Sequence, residues 1–163
     1  MLARAGRVRF AAFDIDGVLT DGRLYYSGDG DAMKAFDVRD GMGMKLLQDA
    51  GIEIAIITSR KAESVRLRAA DLGIRRVMQG VPDKRAAIES QLADAGIAAE
   101  AAAFLGDDLV DLPAMRYCGF AATVAGAPAV LKRHADFVTR AAGGRGAVRE
   151  FCEMILHCRR GIR

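Results

Sequence analysis

The sequence predicts an α/β fold: a three-layer, Rossmann-like, doubly wound and mainly parallel sheet. Three observations predict it. Short apolar runs of strand length alternate with longer, helix-patterned segments. Polar stations follow several of those runs, where a parallel sheet presents its carboxyl ends. The chain has 163 residues, 52% of them hydrophobic, which suits one domain with a real core over 1–163.

The elements follow in order. Residues 8–13 are the first strand. Residues 24–27 and 32–36 flank Gly28-Asp29-Gly30-Asp31, a strong turn signal, and predict a β-hairpin flap over 22–36. Residues 43–50 read as a helix stopped by Gly51, and 53–58 as a β-branched strand. A helix over 62–72 ends at Gly73, and a short strand covers 75–78. Pro82, favoured in a first helical turn, opens a helix to about 95 with Gly96 beyond its end. Then come a strand at 101–105, a helix at 109–117 and a strand at 120–124. A helix at 127–134, a last strand at 137–139 and a final helix from 147 to about 158 complete the pattern. No segment is long enough to fold as a cap domain; residues 37–41 are too few for one.

Composition excludes several functions. The net charge of +3 is small and dispersed, so nucleic acid is not an expected partner. The N-terminal MLARAGRV lacks the apolar stretch of a signal peptide, and no run of 18 apolar residues follows. No membrane association and a cytoplasmic location are expected. Three cysteines, at 118, 152 and 158, form no disulfide framework. Cys152 and Cys158 lie six apart, poor ligand spacing on a helix, so packing explains them better than a metal does. His134 and His157 are the only histidines, too few for a histidine-based triad or zinc site.

The chemistry concentrates at four stations. Asp14-Ile15-Asp16-Gly17 ends the first strand. Strand side chains alternate, so Asp14 and Asp16 project to one side. Unpaired buried charge is costly, and a cation with a phosphorylated substrate would account for the pair. The other stations are Thr58-Ser59-Arg60-Lys61, Lys84, and Gly106-Asp107-Asp108-Leu109-Val110-Asp111. In a doubly wound sheet all four converge on one crevice. Taken singly, Thr58 reads as a strand residue, Lys84 as a surface charge, and one of the later aspartates as a helix cap.

Together, in this order, the four stations resemble the haloacid dehalogenase superfamily of phosphohydrolases. The resemblance implies that Asp14 is the nucleophile and Asp16 the general acid and base. It implies Mg2+ held by Asp14, by Asp16 through its backbone carbonyl, and by Asp107. Thr58, Ser59 and Lys84 would hold the phosphoryl oxygens. Asp108 is the next candidate for the metal, Asp111 would orient Lys84 or support the metal, and Asp21 is expected to be structural. The absent cap, the early hairpin and the tract Lys34-Ala-Phe-Asp-Val-Arg-Asp-Gly41 resemble a capless branch of that superfamily. So do Gly106-Asp-Asp-Leu-Val-Asp-Leu-Pro113 and Gly143-Gly-Arg-Gly-Ala-Val-Arg-Glu150. Ser59 departs from it, since glycine is usual there; its amide remains available. The branch implies hydrolysis of the 8-phosphate of an eight-carbon 3-deoxy sugar acid, feeding lipopolysaccharide precursors. Arg39, Lys45, Arg60 and Arg68 would supply cations for the sugar-acid carboxylate, and Asp40 with Gly41 would meet sugar hydroxyls. It also implies a homotetramer built through the hairpins, where Tyr25, Tyr26, Met33 and Phe36 offer apolar surface. Packing of that hairpin on its own domain is the competing expectation.

Three other functions compete. One is a phosphatase for a nine-carbon ulosonate 9-phosphate. A second is a phospho-accepting receiver, disfavoured because its acceptor aspartate would end the strand before Thr58. The third is a non-catalytic tetrameric scaffold, against which the intact Asp14, Asp16, Thr58, Lys84 and Asp107 argue.

Overall fold

The structure, a computed structural model, describes residues 2–28 and 30–160. Asp29 of the predicted hairpin turn lies outside the described residues. Among them, a six-stranded sheet runs in the order β5-β4-β1-β6-β7-β8, all its pairings parallel. Its strands are β1 (Phe10–Phe13), β4 (Glu53–Ile57), β5 (Arg76–Met78), β6 (Ala102–Gly106), β7 (Phe120–Thr123) and β8 (Phe137–Val138). The predicted class is correct. Every residue of β1 and β6 is buried, as the continuous apolar runs of central parallel strands require.

The connections cover both faces. On one lie α1 (Leu2–Gly6), α2 (Val38–Asp49), α3 (Glu63–Asp71) and α7 (Ala147–Arg160). Phe151 of α7 meets Phe13 edge to face at 5.6 Å and stacks on Phe120 at 6.3 Å, gluing that layer to the sheet. On the other lie α4 (Lys84–Ala95), α5 (Leu112–Tyr117) and α6 (Ala129–His134). The chain leaves β1 toward β4 and, later, leaves β6 toward β7. The order therefore reverses between β1 and β6, and a doubly wound sheet opens a crevice there.

Several boundaries move, each for a local reason. The α2 helix starts at Val38 rather than 43 because Asp37 caps it, accepting from Arg39 N at 2.7 Å. The α4 helix starts at Lys84, not Pro82, because Asp83 accepts from Arg85 N and Ala86 N. The predicted helix over 109–117 is a 3-10 turn, Leu109–Asp111, followed by α5. Pro113 sits in the first turn of α5, where its missing N–H costs nothing. The short α1 helix was not legible in the sequence.

The flap is present: β2 (Tyr25–Ser27) and β3 (Gly30–Met33) pair antiparallel, Tyr25 opposite Met33. Tyr25, Tyr26 and Met33 are exposed. Phe36 is not part of that exposed surface; it packs on the core beneath the Arg68 guanidinium.

Candidate active site

The four polar stations meet in one cleft of about 180 Å3 at the carboxyl end of the sheet. Asp14 and Asp16 come from the end of β1, Thr58, Ser59 and Arg60 from the end of β4. Lys84 stands at the start of α4, and Asp107 and Asp108 follow β6; all of these line the cleft. Backbone bonds fix the first two strands: Asp14 N donates to Leu105 O at 3.1 Å and Thr58 N to Met78 O at 2.9 Å.

Lys84 is the electrostatic hub. Its buried ammonium lies 2.8 Å from Asp14 Oδ2 and 2.6 Å from Asp111 Oδ1. Burial alone would lower its pKa, but the charges of Asp14 and Asp111 together outweigh that and raise it. Asp111 is fully buried. Its Oδ2 accepts from Asp107 N at 2.9 Å and Asp108 N at 3.1 Å, shaping the loop that presents Asp107. Asp108 caps the 3-10 turn through Leu109 N at 2.7 Å. Asp108 thus takes the capping place, and its neighbour Asp107 lines the cleft.

The acids crowd. Carboxylate oxygens of Asp14, Asp107 and Asp111 lie within 4.8 Å of one another. Burial first, then repulsion from Asp111, pushes Asp14 up to about 6 against the pull of Lys84. Burial, then repulsion from Asp14 and Asp111, pushes Asp107 up to about 7. One lysine does not neutralise three acids. The donor set is all hard oxygen, the set that suits Mg2+, so these residues fit the expected ion. Gly17 completes the fit: at φ +87°, a Cβ there would collide with the Asp107 carboxylate.

Asp16 is held from the flap side. Its Oδ1 accepts from Lys34 Nζ at 2.6 Å, and the Lys34 side chain is buried. Arg60 Nε stands 3.8 Å from Asp16 Oδ2, while Arg60 Nη2 donates to the Tyr26 hydroxyl at 3.0 Å. Lys34 is a site residue that sequence reasoning missed. Its one signal in the sequence is a lysine near the far end of the predicted hairpin, 22–36.

Other expected site residues lie outside this cleft. Arg39, Asp40, Gly41, Lys45 and Arg68 do not line the cleft. Asp40 is fully buried on α2 and accepts from Gly146 N at 3.3 Å and Arg149 N at 2.8 Å, so it anchors the start of α7. Gly41 is packed against Arg68 and Leu72. Arg68 pairs with Asp71 at 3.0 Å and donates to Asp37 O at 3.3 Å. Arg39 pairs with Asp37 at 2.8 Å and donates to Arg145 O at 3.3 Å. Lys45 is exposed on α2. These residues belong to α2 and α3. Arg145, with Gly17, Asp21 and Asp107, lines a neighbouring pocket.

A doubly wound sheet with DxD after β1, Thr after β4, Lys at the start of α4 and paired acids after β6 is the frame of a phosphohydrolase. A family model described as haloacid dehalogenase-like hydrolase matches residues 72–151. The 3-deoxy-D-manno-octulosonate 8-phosphate phosphatase KdsC of Haemophilus influenzae is 44% identical over 96% of this chain and 87% of its own length. The Escherichia coli K12 protein of that name is 46% identical over 96% and 83%. Among solved structures, the cobalt-bound Haemophilus influenzae phosphatase superposes with a TM-score of 0.94 at 44% identity, covering 96% of this chain and 91% of that one. A Moraxella catarrhalis phosphatase solved with magnesium, phosphate and KDO gives 0.95 at 39%, covering 98% and 92%. The chain belongs to the haloacid dehalogenase-like hydrolases, within the group of the KdsC phosphatases.

Proposed function

We propose that this chain hydrolyses 3-deoxy-D-manno-octulosonate 8-phosphate to the free sugar acid and phosphate, with Mg2+. The observation that carries the reading is the buried Asp14–Lys84–Asp111 array facing Asp107 across the cleft. Such an array concentrates a nucleophile, a cation site and a fixed positive charge around one phosphoryl group. The eight-carbon substrate is inferred from relatives bearing that name.

Asp14 attacks phosphorus, the bond from phosphorus to the sugar oxygen breaks, and Asp16 gives its proton to the departing alkoxide. Asp16 then takes a proton from water as that water attacks the aspartyl-phosphate, releasing phosphate and the Asp14 carboxylate. Lys84, Thr58 and the Ser59 amide hold the phosphoryl oxygens. Asp14, the Asp16 carbonyl and Asp107 would hold Mg2+, which would supply charge that offsets repulsion between carboxylate and phosphate.

The assembly belongs to the same reading. A two-stranded hairpin is marginal in water, and this one exposes Tyr25, Tyr26 and Met33. A homotetramer built through the hairpins would bury them between copies. No described helix is long and apolar enough to cross a membrane, and a sugar-acid phosphate substrate fits work in the cytoplasm.

The test is phosphate release from a panel with and without Mg2+: the eight-carbon acid 8-phosphate, a nine-carbon ulosonate 9-phosphate, and hexose phosphates. Mg2+-dependent preference for the eight-carbon acid is expected. Equal turnover across the panel overturns the substrate assignment. Light scattering at micromolar chain concentration is expected to give the mass of four chains; a monomer overturns the assembly.

A further inference from the structure

We propose that Lys34 is a positioning residue for Asp16, holding that carboxylate by one oxygen so that the other serves the leaving group. The inference rests on the acid/base role given to Asp16 above. Lys34 follows directly on β3, the second strand of the flap. Its side chain is buried, and its ammonium meets Asp16 Oδ1 at 2.6 Å. Burying an ammonium is costly unless it is closely paired. Asp16 itself stands at the cleft, partly exposed, on the nucleophile's strand end.

The two oxygens of Asp16 differ. Oδ1 is engaged by Lys34, while Oδ2 is buried and makes no hydrogen bond to any described residue. The cation on its side, Arg60, is 3.8 Å away at Nε. Anchoring Oδ1 fixes rotation of the carboxylate and leaves Oδ2 with its lone pairs uncommitted. A general acid must present its proton within hydrogen-bond reach of the leaving oxygen, and small misplacement is expensive. Because Lys34 is carried by the flap, the flap's seating on the domain also sets the orientation of Asp16.

The leaving group supplies the test. A sugar alkoxide must be protonated as it departs, whereas p-nitrophenolate departs without help. The readout is the ratio of kcat/KM on the eight-carbon sugar-acid 8-phosphate to kcat/KM on p-nitrophenyl phosphate, in Mg2+. The ratio reports events up to loss of the leaving group. Lys34→Met is expected to lower it at least about tenfold, a part of the roughly 100- to 10,000-fold that a positioned general acid contributes. Lys34→Gln, which keeps a neutral donor and perturbs the fold less, is expected to lower it by a smaller factor. A merely structural ion pair would reduce both substrates together. If the ratio in both variants, or in Lys34→Gln alone should Lys34→Met not fold, stays within about threefold of wild type, the proposal is overturned. Asp16→Asn is run alongside. If it hydrolyses the sugar phosphate as fast as wild type, the acid/base role itself falls; if it does not and Lys34 variants leave the ratio intact, Lys34 alone is dismissed.

Discussion

Asp111 shows how one buried carboxylate can serve a site without touching its substrate. One oxygen meets the Lys84 ammonium and the other ties two backbone amides of the Asp107 loop. Without Asp111, Lys84 keeps Asp14 as its partner, but the Asp107 and Asp108 amides lose their acceptor, and a buried donor left unsatisfied costs about 1–3 kcal/mol. Asp111→Ala is expected to lose that much in urea denaturation and to lose phosphatase activity with it. Asp40 makes the contrasting case. Its burial raises its pKa against the pull of the Arg149 amide, and its partners are the first amides of α7. Asp40→Ala is expected to cost about 1–2 kcal/mol, as a lost helix cap does, with KM for the sugar phosphate unchanged. A large rise in KM at unchanged stability would restore Asp40 to sugar recognition.

At the scale of elements, the site depends on loops that interlock without side chains. The loop after β1 and the glycine-rich loop before α7 touch backbone to backbone: Gly144 N donates to Val18 O at 3.0 Å. A Cβ on Gly143 would collide with the Gly17 carbonyl, and Gly17 in turn lies against Asp107. Gly143→Ala is therefore expected to displace the Asp16–Gly17 turn and lower kcat/KM about 100-fold, the scale of an ångström-level misplacement. Circular dichroism is expected to show the helices retained. The flap is the other element with a stake in the site, through Lys34 to Asp16 and through Tyr26 to Arg60. Its strands were legible because two extended runs flanked a glycine-rich turn. Its contact with the acid/base residue was not, because nothing in sequence spacing links position 34 to position 16.

At the scale of the molecule, the sheet gathers acids from β1 and β6 at a single point, and the charge it gathers has a pH signature. Asp14 and Asp107 rise from 3.8 to about 6 and about 7 in the metal-free chain. Between the ordinary carboxylate value and those raised ones the folded chain binds more protons than the unfolded chain. Stability without metal therefore falls as pH rises through that window, the sign set by linkage. Mg2+ competes with those protons, so its stabilisation grows as they leave. Thermal melts are expected to show a larger Mg2+-induced rise in Tm at about pH 8 than at about pH 5. An equal rise at both would show that the ion does not bind these acids.

The fold class, the four stations and their order are legible in residue order alone, because hydrophobic periodicity and strand-end polarity are local properties of the chain. Residue order carried Asp14, Asp16, Thr58, Lys84 and Asp107 to one cleft through a single rule about parallel sheets. The rest rests on contacts between segments distant in the chain. Arg39, Asp40 and Gly41, from the tract that adjoins the hairpin, and Lys45 and Arg68 beyond it lie outside the cleft; Asp40 and Arg68 are held by caps and helix packing. Lys34, from the same tract, went the other way, into contact with Asp16. Which charged side chain reaches a cleft depends on helix phase and on loops meeting across the fold, and neither is written in the spacing of residues along the chain.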